Sequence, residues 1–303
     1  MGIKGLYSYL KYYRTDIDPF TYRARRIGID AMSLLYRYRG DTAEIISILR
    51  DLRAAGHTLF FVFDGKPPVE KEREVQARKD AKTGAALSAA SIEAFLNTPA
   101  AAELGAKDRE ILEQSLGRCQ ASAWHMTRDR RRTFQETLWN EGIPYVKSLG
   151  EADDVLVDLF SAGKLDVILS TDMDYLMFGV KCLWIPTRRG ARQFEEVVLA
   201  EVLNGEGMSP EMFADACLLC GTEERDGLRG IPPHTAFSWI RYYGSIEGVY
   251  KSSVTDKAFR AMFLTPESIA AARALRAATA GASPYDRIRP DHLERVREFL
   301  DTL

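Results

Sequence analysis

Ten carboxylates in this chain sit where chemistry could be done: Asp30, Asp64, Glu151, Asp153, Asp154, Asp172, Asp174, Glu223, Glu224 and Asp226. Most fall at the ends of apolar runs or in short loops, several at spacings of i, i+2 or i, i+3. Carboxylates drawn together raise one another's pKa and cost stability unless a cation lies among them, and hard oxygen ligands select Mg²⁺ or Mn²⁺. The pattern predicts a divalent-metal site. Two such ions about 3.5 to 4 Å apart suit phosphodiester hydrolysis, one activating water and the other stabilising the leaving oxygen.

Rival chemistries find less support. Ser170-Thr171-Asp172-Met173-Asp174 has the DxD spacing of an aspartyl-phosphate phosphatase, but that chemistry places its nucleophile after the first strand, where this chain has a lone Asp30. Cys217-Leu218-Leu219-Cys220 is half a zinc site with no second half at ligand spacing, so buried helix cysteines are expected. His57, His125, His234 and His292 have no hydroxyl or thiol partner suggested by the sequence, which leaves a nucleophilic triad unsupported.

The acids need elements to hold them. Arg26–Asp30, Thr58–Asp64, Ile143–Lys147, Asp166–Ser170 and Lys181–Ile185 are short apolar, β-branched or aromatic runs that read as buried strands. Helical patterns separate most of them, and no hairpin pattern is visible. The expected fold is α/β, a mostly parallel sheet covered on both faces by helices. Ligands of such sheets sit beyond the carboxyl ends of the strands, where Asp30, Asp64, Asp172 and Asp174 fall. Residues 80 to 118 are Ala-rich and weakly amphipathic, and predict a helical insertion. From Ser209 onward the pattern is helical. Ser209-Pro210 reads as an N-cap followed by Pro at the first helical position, and Leu293, Val296, Phe299 and Leu300 share one face of a closing helix. Two domains are expected, 1–205 with the insertion and 206–303.

Composition narrows the class. Of 303 residues, 46% are hydrophobic and 28% charged, as in water-soluble globular chains, and no apolar stretch approaches the roughly 18 to 20 residues that span a bilayer. No membrane association is expected. Met1–Arg14 mixes basic and aromatic residues too closely for a secretory signal, and four scattered cysteines imply a reducing intracellular compartment. The net charge of −2 hides polarity: Met1–Gly40 carries eight Lys/Arg and three Asp, whereas Glu151–Asp174 carries seven acids and one Lys. Arg128, Arg130, Arg131 and Arg132 form another cationic cluster.

Six separated motifs, in order, carry a resemblance: Met1-Gly2-Ile3-Lys4-Gly5-Leu6, Ile29-Asp30-Ala31, Phe61-Val62-Phe63-Asp64-Gly65-Lys66-Pro67-Pro68, Gly142-Ile143-Pro144-Tyr145 leading to Glu151-Ala152-Asp153, Ser170 to Asp174, and Arg229-Gly230-Ile231. Over residues 1 to about 250 the chain resembles the flap endonuclease/XPG family of structure-specific 5′ nucleases. The resemblance implies a PIN-like nuclease core and a metal site of Asp30, Asp64, Glu151, Asp153, Asp172 and Asp174. Asp154 and Asp226 join that site by likeness to the phage-type members, and Glu223 by standing where eukaryotic relatives have an Asp. It further implies Mg²⁺ as cofactor in two ions, Mn²⁺ as substitute, and K⁺ at a helix-two-turn-helix element spanning residues 209 to 245. Lys71 and Arg78, two turns apart on one helix face, become the cations that face the scissile phosphate. Gly2, Lys4, Tyr36, Gly230 and His234 become further DNA contacts, Tyr36 by stacking on a base, worth about 1 to 3 kcal/mol. The insertion takes the place of the family's helical arch. The implied partner is DNA with a 5′ flap, nick, gap or junction, cut by a monomer in the nucleus or wherever DNA is replicated.

Departures from the family pattern carry their own expectations. Gly221-Thr222-Glu223 stands where eukaryotic relatives have an Asp, so the second metal is held less tightly. Pro232-Pro233-His234 replaces a Gly-Pro-basic sequence and removes N–H groups that would meet a phosphate or K⁺. The stretch between Asp30 and Asp64 is short, which weakens an expected preference for a 3′ flap. Leu303 is reached without a sliding-clamp motif, so clamp binding by that route is not expected. These departures also favour the alternative of a catalytically weakened junction-binding scaffold; a ribonuclease with a similar metal core is the third reading.

Overall fold

A computed structural model describes residues 2–67, 72–188, 193–221, 231–252, 269–270 and 283–303. The chain forms two compact units, Met1–Pro67 with Arg132–Leu303, and Pro68–Arg131. The larger unit is built on a seven-stranded sheet in the order β1-β7-β6-β5-β2-β3-β4. Five strands run parallel: β2 (Arg26–Asp30), β3 (Thr58–Phe63), β4 (Tyr145–Lys147), β5 (Val167–Leu169) and β6 (Cys182–Arg188). All five coincide with the apolar runs of the sequence to within a few residues.

The other two strands correct the reading of the sequence. β7 (Gln193–Val198) pairs antiparallel with β6, and β1 (Arg14–Ile17) pairs antiparallel with β7 at the sheet edge. Consecutive β6 and β7 are therefore antiparallel neighbours although no hairpin was legible. Neither strand carries an apolar run. β1 is Arg-Thr-Asp-Ile with its central residues exposed, and β7 holds Glu195 and Glu196. Those acids find partners only in the folded sheet. Glu195 pairs with Arg14 at 2.7 Å, and Glu196 accepts from the Trp184 indole at 2.9 Å.

Helices cover the sheet because their apolar faces have no other place to go. α3 (Thr42–Ala54) buries Ile45, Ile46, Ile48, Leu49 and Leu52, and Asp41 caps its first turn. α7 (Arg128–Asn140) inserts Phe134 against Phe61 and Phe63. α8 (Ala152–Ser161) crosses β2 so closely that a Cβ at Gly28 would fall 2.5 Å from Leu165 and 2.7 Å from Leu156, which is why this strand position has no side chain. Ser209 caps α11 (Pro210–Cys220) through the Met212 N–H at 3.2 Å, with Pro210 in the first turn as its missing N–H permits. Cys217 and Cys220 are buried there as thiols. α14 (Pro290–Thr302) returns to the sheet and stacks Phe299 on Phe60.

Among the described residues the regular elements of the smaller unit are helices: α4 (Glu72–Leu96), α5 (Pro99–Ala102) and α6 (Ala106–Ala123). α4 and α6 pack on one another, and α6 buries no residue, as the weak amphipathicity over 80 to 118 predicts. The described part of residues 206–303 belongs to the same compact unit as the sheet.

Candidate active site

The end of β2 delivers Asp30, the N-cap of α2 (Ala31–Arg37). One of its oxygens accepts from the Ser33 N–H at 2.9 Å, the other from the Ser170 hydroxyl at 3.0 Å. Ser170 in turn accepts from the Asp172 N–H at 3.1 Å, and Asp172 accepts from the Asp174 N–H at 3.0 Å. Ser33 and Thr171 meet at 2.8 Å between hydroxyls, locking the loop after β5 to the first turn of α2. Parallel strands that end side by side thus place Asp30 and the Ser170–Asp174 loop together, and short hydroxyl side chains fix their relative height.

Asp64 follows β3 and accepts from the Ala152 N–H at 2.9 Å, so it caps the first turn of α8. Glu151 is the N-cap of that helix and Asp153 lies in its first turn. Carboxylates near a helix N-terminus are favoured by its dipole and its orphan N–H groups. On α9 (Asp174–Met177), the Tyr175 hydroxyl donates to Asp153 Oδ1 at 2.5 Å.

The N-terminal segment supplies the remaining wall. Ile3 donates its N–H to Asp174 Oδ1 at 2.6 Å. Gly2, with φ of +94°, lies so close that a Cβ there would fall 2.0 Å from Asp172 Oδ1 and 2.8 Å from Asp174 Oδ1. Farther along the segment, Tyr9 and Tyr13 donate to Glu206 at 2.8 and 3.0 Å, and Arg241 pairs with the same carboxylate at 3.0 Å.

Electrostatics show the acids acting on one another. Burial pushes Asp30 up to about 7, and the negative charges of Asp64 and then Asp172 add to it. Asp153 is also raised, first by burial and then by Asp30, Asp172 and Asp64. Four aspartates from four places in the sequence therefore share one field. Their donor atoms are all hard carboxylate oxygens, and their mutual repulsion is what a bound divalent cation would relieve. Among the described residues no three Asp, Glu, His or Cys side chains already stand as a ready set of metal ligands. The fit to Mg²⁺ rests on donor chemistry and crowding.

The predicted site residues sort themselves accordingly. Asp30, Asp64, Asp153, Asp172 and Asp174 are brought together, and Glu151 begins the helix that carries Asp153. Asp154 turns to Arg287 at 2.8 Å, whose guanidinium also meets buried Asp158 at 2.9 Å. Gly2 lines the acidic pocket, Lys4 is exposed and Tyr36 is half-buried on α2. His234 is exposed in the first turn of α12 (Pro233–Tyr243). Arg78 is half-buried on α4, in the smaller unit. Lys71, Glu223, Asp226 and Gly230 lie outside the described residues. Sequence reading missed Ser33, Ser170, Tyr175, Arg287 and Glu206. Only Ser170 and Tyr175 had a local signal, since both touch the Asp172-Met173-Asp174 motif.

The XPG I-region family matches residues 142–223, which include Glu151, Asp153, Asp172 and Asp174. Flap endonuclease 1 of Ostreococcus lucimarinus is 30% identical over 287 residues, covering 85% of this chain and 69% of the relative. Flap endonuclease 1 of Entamoeba dispar is 30% identical over 285 residues, covering 85% and 71%. Among solved structures, the catalytic core of Rad2 in complex with DNA substrate matches with a TM-score of 0.61 at 16% identity, over 99% of this chain and 94% of that one. Flap endonuclease-1 from Methanococcus jannaschii matches with a TM-score of 0.54 at 17% identity, over 97% and 98%. The Holliday junction-resolving enzyme GEN1 in complex with product DNA and Mg²⁺ ion gives 0.60 at 14% identity, over 98% and 68%. At these identities the structural likeness concerns the fold.

Proposed function

Since the chain belongs to the flap endonuclease/XPG family of structure-specific 5′ nucleases, we propose that it hydrolyses DNA phosphodiesters near single-strand/duplex junctions, leaving a 5′-phosphate and a 3′-hydroxyl. The observation that carries this reading is the shared field of Asp30, Asp64, Asp153 and Asp172, three acids that end or follow parallel strands and one in the first turn of α8. In our reading Asp30, Asp64, Glu151, Asp153, Asp172 and Asp174 hold Mg²⁺, with Mn²⁺ as a substitute. When bound, the metal supplies Lewis-acid polarisation of the phosphate and a water of lowered pKa.

The protein's part is orientation. Asp64 holds the first turn of α8 and so the stations of Glu151 and Asp153, Ser170 sets Asp30 against Asp172, and the Ile3 N–H fixes Asp174. Placed this way before substrate arrives, the acids need little rearrangement, the condition under which fixed charges are most effective. Lys71 and Arg78 are assigned to the non-bridging oxygens of the scissile phosphate, and Tyr36 to a base beside it.

The insertion α4 to α6 is assigned to the single-stranded arm, and residues 206–303 to the duplex backbone, which is read by shape rather than by base edges. Pro232 and Pro233 offer no N–H to a phosphate, so the duplex grip, and any K⁺ held there, differs from that of relatives with Gly-Pro-basic at this place. The test is cleavage of a 5′-labelled flap duplex in Mg²⁺ by wild type and Asp172→Asn. We expect cutting at the junction by wild type and its loss in the variant; equal cutting by both defeats the reading.

A further inference from the structure

We propose that Tyr175 is a positioning residue for Asp153, committing one carboxylate oxygen to a protein hydrogen bond so that the other is presented to the metal. This rests on the reading of the acids as a metal site. Tyr175 is 1% exposed and lies on α9 immediately after Asp174, while Asp153 lies on α8, 22 residues earlier. The bond between them is thus a strut between two acidic motifs.

A phenol buried this deeply needs a partner for its O–H, and the one it has is a carboxylate rather than a backbone carbonyl. The ring belongs to the apolar core with Met173, Leu176 and Met177, so the hydroxyl is aimed by packing and cannot swing away. Asp153 is repelled by Asp30 and Asp172, and without a brace its carboxylate would rotate away from them. Hydrogen bonds of this kind behind a metal-ligating carboxylate set its orientation, and their loss typically weakens metal binding about 10- to 100-fold.

Short α9 would then do two things. Its first residue contributes the Asp174 carboxylate, held from the other side by Ile3, and its second braces Asp153. A core tyrosine without this role would affect folding stability alone.

The experiment is Mn²⁺ binding without DNA, followed by electron paramagnetic resonance of free Mn²⁺, for wild type, Asp172→Asn and Tyr175→Phe. A Mg²⁺ titration of cleavage by Tyr175→Phe accompanies it. We expect Mn²⁺ affinity to fall at least about tenfold in Tyr175→Phe, with the half-saturating Mg²⁺ rising in step, the KM for DNA unchanged and the rate recovering at high Mg²⁺. Installing 4-aminophenylalanine at 175, which keeps a donor, should restore affinity; 4-methylphenylalanine, which fills the same space without donating, should not. If Tyr175→Phe fails to fold, that second pair decides the matter by the same ratio. Wild-type affinity in the donor-less variants overturns the positioning role and leaves the metal site standing. Absence of Mn²⁺ binding by wild type, or binding unaffected by Asp172→Asn, overturns the metal site and this inference with it.

Discussion

The backbone N–H of Ile3 donates to an Asp174 oxygen at 2.6 Å across 171 residues of sequence. The first residues of the chain are therefore part of the acidic pocket itself. They are anchored behind by Tyr9 and Tyr13 on Glu206, so the segment is held at both ends of its approach.

Gly2→Ala should cost most of the activity. Its φ of +94° is strained for any side chain, and the new methyl would overlap Asp172 and Asp174. Displacing reacting groups by about 1 Å can cost about 100-fold in rate, and that is the expected loss in initial rates on a flap substrate at saturating Mg²⁺. An unchanged rate would show that the segment moves aside at no cost.

Glu206→Leu removes the acceptor shared by Tyr9, Tyr13 and Arg241. Hydrogen bonds to a charged group are worth about 1.5 to 3 kcal/mol each, and with water replacing part of the loss at the half-exposed donors we expect destabilisation of about 3 kcal/mol in urea. Tyr9→Phe alone should lose less. Urea midpoints equal to wild type would place the anchor elsewhere.

Arg287→Met isolates Asp158, whose side chain is 2% exposed and whose carboxyl is raised by burial and lowered by that arginine. Removing one partner of a buried ion pair typically costs about 3 to 5 kcal/mol, whereas replacing both by apolar groups restores most of it. Arg287→Met should therefore unfold at lower denaturant than the double variant with Asp158→Leu. The reverse order would contradict the pairing.

Without divalent metal, stability should fall as pH rises from about 4 to about 7. Asp30 has its folded pKa raised to about 7 from an unfolded 3.8, so the folded state binds the extra proton within that window and loses it across it. Thermal melts in chelator at pH 5, 6, 7 and 8 should decline to a plateau. Asp30→Asn should make the decline shallower, what remains coming from Asp153, which burial and the neighbouring acids also raise. Melts that rise over this range, with Asp30→Asn indistinguishable from wild type, would exclude this ionisation.

The parallel core was legible because its signal is local. An apolar β-branched run such as Arg26–Asp30 specifies a buried strand by itself, and Asp30 or Asp64 at its end already marks the ligand-bearing edge of such a sheet. Ser209-Pro210 announced the start of α11 for the same reason, since a cap is decided within four residues. The antiparallel strands β1 and β7 escaped because their polar side chains gain partners only once paired, Arg14 with Glu195 and Trp184 with Glu196.

By its own chemistry the sequence determined which residues are acids and that most follow strands, and its six ordered motifs carried the resemblance to a family. Tertiary structure alone decided that Ile3 meets Asp174, that Tyr175 braces Asp153, and that Asp154 turns to Arg287. The physical reason is range. Strand and cap preferences are set among near neighbours, whereas the direction of a carboxylate is set by whichever distant donor the packed core brings against it.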